Sequence, residues 1–117
     1  MIGIDIIEIN RIQDAIQKYG DKFIKKIFTP YEIAYCQSFQ SQAEKFAARF
    51  AVKEAVAKVI KTGFPSYFLD MEIRNDASGA PNLILSDRLK ALYPYPIEIS
   101  ISHCKEYAVG MAMAVIH

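Results

Sequence analysis

SQAEKFAARFAVKEAVAKVIKTG, residues Ser41 to Gly63, runs free of glycine and proline until its last position. Ser41 stands three residues ahead of Glu44, the spacing of a capping box, and Gly63 is the expected left-handed terminator. Phe46, Phe50, Val52, Val56, Val59, Ile60 and the alanines between them leave no broad polar face. The spacing therefore predicts a long helix that is buried nearly all round, and the rest of the chain must wrap it.

Toward the N-terminus, MIGIDIIEI (Met1 to Ile9) is a β-branched run that reads as a buried strand. From Asn10 the period changes: Ile12, Ile16, Tyr19, Phe23 and Ile27 recur at helical spacing. Gly20 lies in the middle, so either one helix or two shorter ones joined by a turn fit. Thr29-Pro30-Tyr31-Glu32 places a hydroxyl, a proline and a glutamate where a helix begins, and the short helix it opens carries Cys36 as a core thiol.

Beyond the long helix, Leu69, Met71 and Ile73 alternate with Asp70, Glu72 and Arg74 as a half-buried strand, and Asp76 to Pro81 supplies a turn before a second strand near Leu83 to Leu85. Ser86 caps a short helix to Leu92, which Tyr93-Pro94-Tyr95-Pro96 stops. Ile97, Ile99 and Ile101 alternate with polar residues, a turn follows at His103 to Glu106, and a last strand covers Tyr107 to Val115. Its Ala108, Gly110, Ala112 and Ala114 let a helix approach closely. The fold class is α+β, a small antiparallel-rich sheet packed around a long buried helix.

At 117 residues the chain fits a single domain spanning 1–117, with 52% hydrophobic and 23% charged residues arguing against disorder. A domain this small buries only about two-thirds of its unfolded surface, which makes burial between subunits an attractive source of stability. A net charge of +1 is far from the basic field of general nucleic-acid binders. Two cysteines, no secretory leader pattern and no apolar run near about 20 residues point to a reducing cytoplasm and no membrane span. P-loop, CxxC, HExxH and nucleophile-elbow patterns are absent from the sequence.

The charges of the long helix fall in two stripes, Glu54, Lys58 and Lys61 on one and Lys45, Arg49 and Lys53 on the other. Glu54 and Lys58 alone would read as an ordinary surface pair worth a few tenths of a kcal/mol, of order 0.3. Asp5 adds weight, because a carboxylate inside an isoleucine-rich strand needs a partner, a metal or a proton. Two readings stay open. Asp5 and Glu54 share a hard cation such as Mg²⁺, with Lys58 facing substrate phosphates, or Asp5 bridges locally to Lys58 or Lys53. His103, at a strand tip, matters chemically if its turn meets that pair, where the imidazole can bind phosphate or move a proton. Glu8 suits the strand-to-helix junction. Residues 11 to 26 hold five basic groups and two acids, a local charge of +3 that suits an acidic partner.

Taken in order, Gly3-Ile4-Asp5-Ile6-Ile7-Glu8-Ile9, Arg49-Phe50-Ala51-Val52-Lys53-Glu54-Ala55, Gly79-Ala80-Pro81 and Ser100-Ile101-Ser102-His103 resemble the bacterial holo-acyl-carrier-protein synthases, small phosphopantetheinyl transferases, over nearly the whole chain. The resemblance implies transfer of the 4′-phosphopantetheine arm of coenzyme A to a serine of apo-acyl carrier protein, with release of adenosine 3′,5′-bisphosphate, in fatty acid biosynthesis. It implies Mg²⁺ on Asp5 and Glu54, Glu54, Lys58 and His103 as catalytic groups, and Arg49, Lys58 and His103 toward coenzyme A. It also implies carrier docking by Arg11, with Lys18, Lys22 and Lys25 on the same stripe, and a homotrimer with active sites between subunits. Two positions depart from the family pattern: Lys61 replaces a common glycine, and Cys104 a usual threonine. The competing readings are a non-catalytic trimeric adaptor for an acidic carrier protein and a Mg²⁺-dependent phosphohydrolase acting on coenzyme A.

Overall fold

A computed structural model describes residues 1–61 and 67–115. The elements in order are β1 (Ile2–Glu8), α1 (Ile9–Tyr19), α2 (Asp21–Ile27), α3 (Pro30–Gln37), α4 (Gln42–Ile60), a 3-10 turn (Phe68–Asp70), β2 (Met71–Asn75), β3 (Pro81–Leu85), α5 (Asp87–Leu92), β4 (Ile97–His103) and β5 (Tyr107–Ala114). β1, β5 and β4 form one antiparallel sheet in that order, and β2 and β3 form a hairpin. Among the described residues no helix is long and apolar enough to cross a membrane.

α4 lies on the three-stranded sheet at the distance its glycines allow. A Cβ on Gly3 would stand 2.2 Å from the Ala55 carbonyl oxygen, and one on Gly110 2.4 Å from the Val52 nitrogen. With Ala108 and Ala112 fully buried beside Gly110, β5 is a smooth bed for the helix, as its small residues predict. Phe46, Val52, Ala55, Val56 and Val59 are buried, so α4 is the buried helix its sequence announces.

Several local expectations need correction. β1 is an edge strand: only the face with Gly3 meets α4, while Ile2, Ile4 and Ile6 are 67%, 59% and 62% exposed. A β-branched run signals a strand but not how many of its faces are covered. Gly20, at φ 57°, ends α1 and starts α2, so of the two arrangements left open for the first amphipathic segment the two-helix one forms. Ser41 makes no side-chain cap bond. α4 stops at Lys61, which takes the left-handed conformation (φ 59°, ψ 37°) and donates its N–H to Ala57 O at 2.7 Å. The terminator proposed at Gly63 lies outside the described residues. Leu69 belongs to the 3-10 turn, and His103 ends β4 instead of opening the turn. The capping box at Thr29 and Glu32 and the Ser86 cap form as the sequence predicts.

The second stripe of α4 is not a solvated face. Lys53 is fully buried and spends its three donors on Glu32 Oε1 (2.6 Å), Ile27 O (2.7 Å) and Phe68 O (3.0 Å). Glu32 also accepts the backbone N–H groups of Thr29 (2.9 Å) and Ile73 (2.8 Å). Burial pulls the Lys53 ammonium below its ordinary value, and the Glu32 carboxylate pushes back. Every polar atom of this pair has a partner, which is the condition for keeping charge in a core. The pair ties α2, α3, β2 and the 3-10 turn to α4. Cys36 is a core thiol that burial pushes up to about 12, while Cys104 is exposed.

Candidate active site

Alternation along β1 decides what faces α4. With Gly3 against Ala55, Asp5 lies on the same side, and Glu54 extends from α4 toward it. The two side chains share a hydrogen bond, which between carboxyls requires one proton. Burial, then the charge of Asp5 and that bond, push the Glu54 carboxyl up to about 7, with Lys58 and Arg11 pulling the other way. Lys58 Nζ donates to Ile4 O at 2.8 Å and pairs with Asp5 Oδ1 at 3.2 Å. Asp5 therefore bridges locally to Lys58, one of the two readings, and also meets Glu54, the partner the other reading requires. It does not bridge to Lys53. Arg11, Ile12, Phe23 and Phe50 complete a cleft of about 420 Å³ around the pair.

Two carboxylates forced to share a proton fit a divalent cation, which replaces the proton and relieves their repulsion. Among the described residues no three or more His, Cys, Asp or Glu side chains converge. A two-carboxylate set suits Mg²⁺, which keeps waters and takes phosphate oxygens, better than a closed zinc cage.

A second cleft, of about 250 Å³, opens on the other side of α4 and is lined by Tyr35, Lys45, Arg49, Asn75, Ser100 and His103 among others. Arg49 is 3% exposed. Its Nη2 donates to Asn75 Oδ1 at 2.7 Å, its guanidinium lies 4.3 Å from the Tyr35 ring, and its buried Nε has no partner. His103 Nδ1 lies 3.4 Å from Glu44 Oε1. In the sheet, Asp5 is opposite Gly110 and Gly110 opposite Ile101, so His103 is two strands across and two residues along from Asp5. That offset is roughly 12 Å between Cα positions, and the two clefts share no lining residue. Within one chain, His103 and Arg49 do not meet Asp5 and Glu54.

Of the residues singled out for docking, Arg11 lines the carboxylate cleft. Lys18, Lys22 and Lys25 are exposed on two helices separated at Gly20, with Lys25 3.9 Å from Asp21 and Lys18 over the Tyr19 ring. Glu44 and Asn75, which contact His103 and Arg49, carry no signal in the sequence beyond a helix-start glutamate and a strand-end amide.

The model of the 4′-phosphopantetheinyl transferase superfamily matches residues 1–112. The chain is 44% identical over 117 residues to the holo-acyl-carrier-protein synthase of Halothermothrix orenii, covering 96% of this chain and 94% of that protein. It is 48% identical over 115 residues to the synthase of Protochlamydia amoebophila, with the same coverage. Among solved structures, Helicobacter pylori holo-acyl-carrier-protein synthase in complex with coenzyme A superposes with TM-score 0.89 at 30% identity, over 98% of this chain and all of that one. The Bacillus anthracis synthase in complex with coenzyme A (3′,5′-ADP) does so with TM-score 0.81 at 40% identity, over 97% and 93%.

Proposed function

The chain belongs to the holo-acyl-carrier-protein synthases of the 4′-phosphopantetheinyl transferase superfamily, and from that premise we propose that it moves phosphopantetheine from coenzyme A to apo-acyl carrier protein at the Asp5/Glu54 cleft. The serine oxygen of the carrier bonds to the phosphorus bearing pantetheine, the pyrophosphate P–O bond breaks, and adenosine 3′,5′-bisphosphate leaves. The observation that carries the reading is the carboxylate pair itself, with Lys58 on one side and Arg11 on the other.

Mg²⁺ held by Asp5 and Glu54 supplies, when bound, neutralisation of the pyrophosphate charge. Lys58 offsets the charge that grows on the phosphoryl oxygens. Glu54 takes the serine proton, with His103 the second candidate. Arg49 and His103 hold coenzyme A phosphates, for which the orphaned guanidinium Nε is a ready donor. Lys18, Lys22 and Lys25 steer an acidic carrier toward the cleft that Arg11 borders.

The separation of the two clefts supports a site built from two copies. So does the open sheet face of Ile2, Ile4, Ile6, Met111 and Met113, which a homotrimer would cover. An adaptor has no use for a proton-sharing carboxylate pair. Incubation with apo-carrier, coenzyme A and Mg²⁺ should add one phosphopantetheine mass to the carrier in a mass spectrum. Asp5→Asn should lower that turnover at least about a hundredfold while the protein stays folded. An unshifted carrier mass with every divalent ion tried would reject the transferase reading.

A further inference from the structure

Arg49 is a buried cation that no acid neutralises. Only 3% of it is exposed, yet among the described residues no carboxylate pairs with it and none lines the basic cleft that it borders. Its shortest bond goes to a neutral group: Nη2 donates to Asn75 Oδ1 at 2.7 Å, while Nη1 lies 3.4 Å from the Lys45 carbonyl. The Tyr35 ring stacks 4.3 Å from the guanidinium and is itself packed edge-on against Phe39, 5.1 Å between centroids. The stack limits tilt of the guanidinium, and the Asn75 bond limits its rotation in plane.

The Asn75 amide has one orientation that satisfies both of its neighbours. Nδ2 donates to Gly79 O at 2.9 Å. Exchanging the amide O and N would set NH₂ against the Arg49 Nη2–H and oxygen against the Gly79 carbonyl, so both contacts select the same amide. Gly79, at φ 89°, belongs to the turn between β2 and β3, which Asp76 braces. Asp76 O accepts the Gly79 N–H at 2.9 Å, and Asp76 Oδ1 accepts the N–H groups of Ser78 (2.8 Å) and Ala80 (3.1 Å). A chain of bonds therefore runs from the hairpin turn through Gly79 and Asn75 to Arg49. It gives the Gly79-Ala80-Pro81 stretch a role that the proposed chemistry does not use.

We infer that Asn75 is the positioning residue of Arg49: locked by the Gly79 carbonyl, it orients the guanidinium through a neutral oxygen and so leaves the positive charge for an anionic ligand. Aspartate at this place would hold the arginine more strongly, but it would neutralise the charge and set its second oxygen against Gly79 O. An aliphatic side chain would keep the charge and lose the hold. Asparagine meets both demands, since it accepts from the cation and donates to the turn. A buried guanidinium without a counter-charge is costly, and a bound phosphate relieves that cost.

The inference rests on the proposed placement of Arg49 toward the phosphates of coenzyme A for its effect on binding, but not for its geometry, and the test separates the two. Titration calorimetry of the full chain with adenosine 3′,5′-bisphosphate reads the basic cleft without carrier protein or turnover. Asn75→Ala should weaken binding about tenfold. Asn75→Asp, which keeps an oxygen for Arg49 and so keeps the hairpin tied to α4, should weaken it at least as much. An Asn75→Asp protein that binds like wild type overturns the inference, because a purely structural bridge tolerates the carboxylate. In an Arg49→Lys background, where the charge remains but the planar fork is gone, Asn75→Ala should change affinity by less than about twofold. Equal losses in both backgrounds would mean that Asn75 touches the ligand itself, and would also overturn it. In transfer assays Asn75→Ala should raise KM for coenzyme A about tenfold and leave kcat within about twofold. A wild type that transfers phosphopantetheine yet binds the bisphosphate no better than Asn75→Ala sinks the positioning role and spares the transferase. A wild type without transfer, whose bisphosphate affinity still follows Asn75 through Arg49, does the reverse.

Discussion

At the scale of single residues, Glu54 couples the site to pH. Its carboxyl titrates near 7 in the folded chain against 4.5 for an ordinary glutamate. Between those values the folded state holds more protons than the unfolded one, so stability falls as pH rises. The contribution is fully present below about 4.5 and gone above about 7. Glu54→Gln, which never ionises, should therefore melt higher than wild type at pH 8 in the presence of a chelator and match it at pH 4. Added Mg²⁺ should raise the wild-type melting temperature at pH 8 more than at pH 5 and leave Glu54→Gln nearly unmoved. Thermal melts across that grid decide it; a wild type whose response to Mg²⁺ ignores pH would separate the carboxylate pair from the ion. Lys53 is the opposite kind of residue. It sits beside Glu54 in sequence, yet it faces the core and its role is structural. Lys53→Ala leaves Glu32 charged and buried, and should cost about 3–5 kcal/mol in urea unfolding. A loss below about 1 kcal/mol would mean that water reaches Glu32.

Among the elements, α4 explains what could be read in advance and what could not. Its length, its burial and the smooth bed on β5 follow from periodicity and small residues, which are local in sequence. The stripe of Lys45, Arg49 and Lys53 is legible only as a shared face, because sequence spacing says which residues share a face, and not what lies opposite it. Glu32 lies opposite, from a helix whose capping box explains the glutamate without any need for a lysine. The same limit hid the distance between His103 and Asp5: both are legible as chemistry, while the strand order β1-β5-β4 that parts them is not. The end of α4 is a further case. Lys61 holds a positive φ that glycine adopts freely and that costs other residues about 1 kcal/mol or more. Lys61→Gly should raise stability by about 1 kcal/mol, less the entropy that glycine restores to the unfolded chain. A destabilised variant would show that the lysine makes a compensating contact, and urea melts at constant m-value distinguish the cases.

For the whole molecule, the exposed area is 6905 Å², against about 6,400 Å² expected of a monomer of this mass. The surplus goes with an elongated shape, 41 × 27 × 25 Å, and with an apolar sheet face that pairs Ile2 with Met113 and Ile4 with Met111 across the strands. A face of that composition at an open edge invites association. Three copies closing on it would bury the isoleucines and bring the basic cleft of one chain toward the carboxylate pair of the next, so assembly and activity should fall together. Ile4→Glu puts a charge at the centre of the face, where Ile4 is 59% exposed in the single chain, and should yield monomers in sedimentation with turnover reduced at least about tenfold. A complementation assay asks the same of the chemistry. Asp5→Asn and His103→Asn chains, each weakly active alone, are unfolded together and refolded as mixed oligomers. If each site draws Asp5 from one chain and His103 from another, random mixing gives about one fully intact site in four, and activity returns. If both residues serve within one chain, mixing restores nothing, and the separation of the two clefts would then have to be closed by movement inside the protomer.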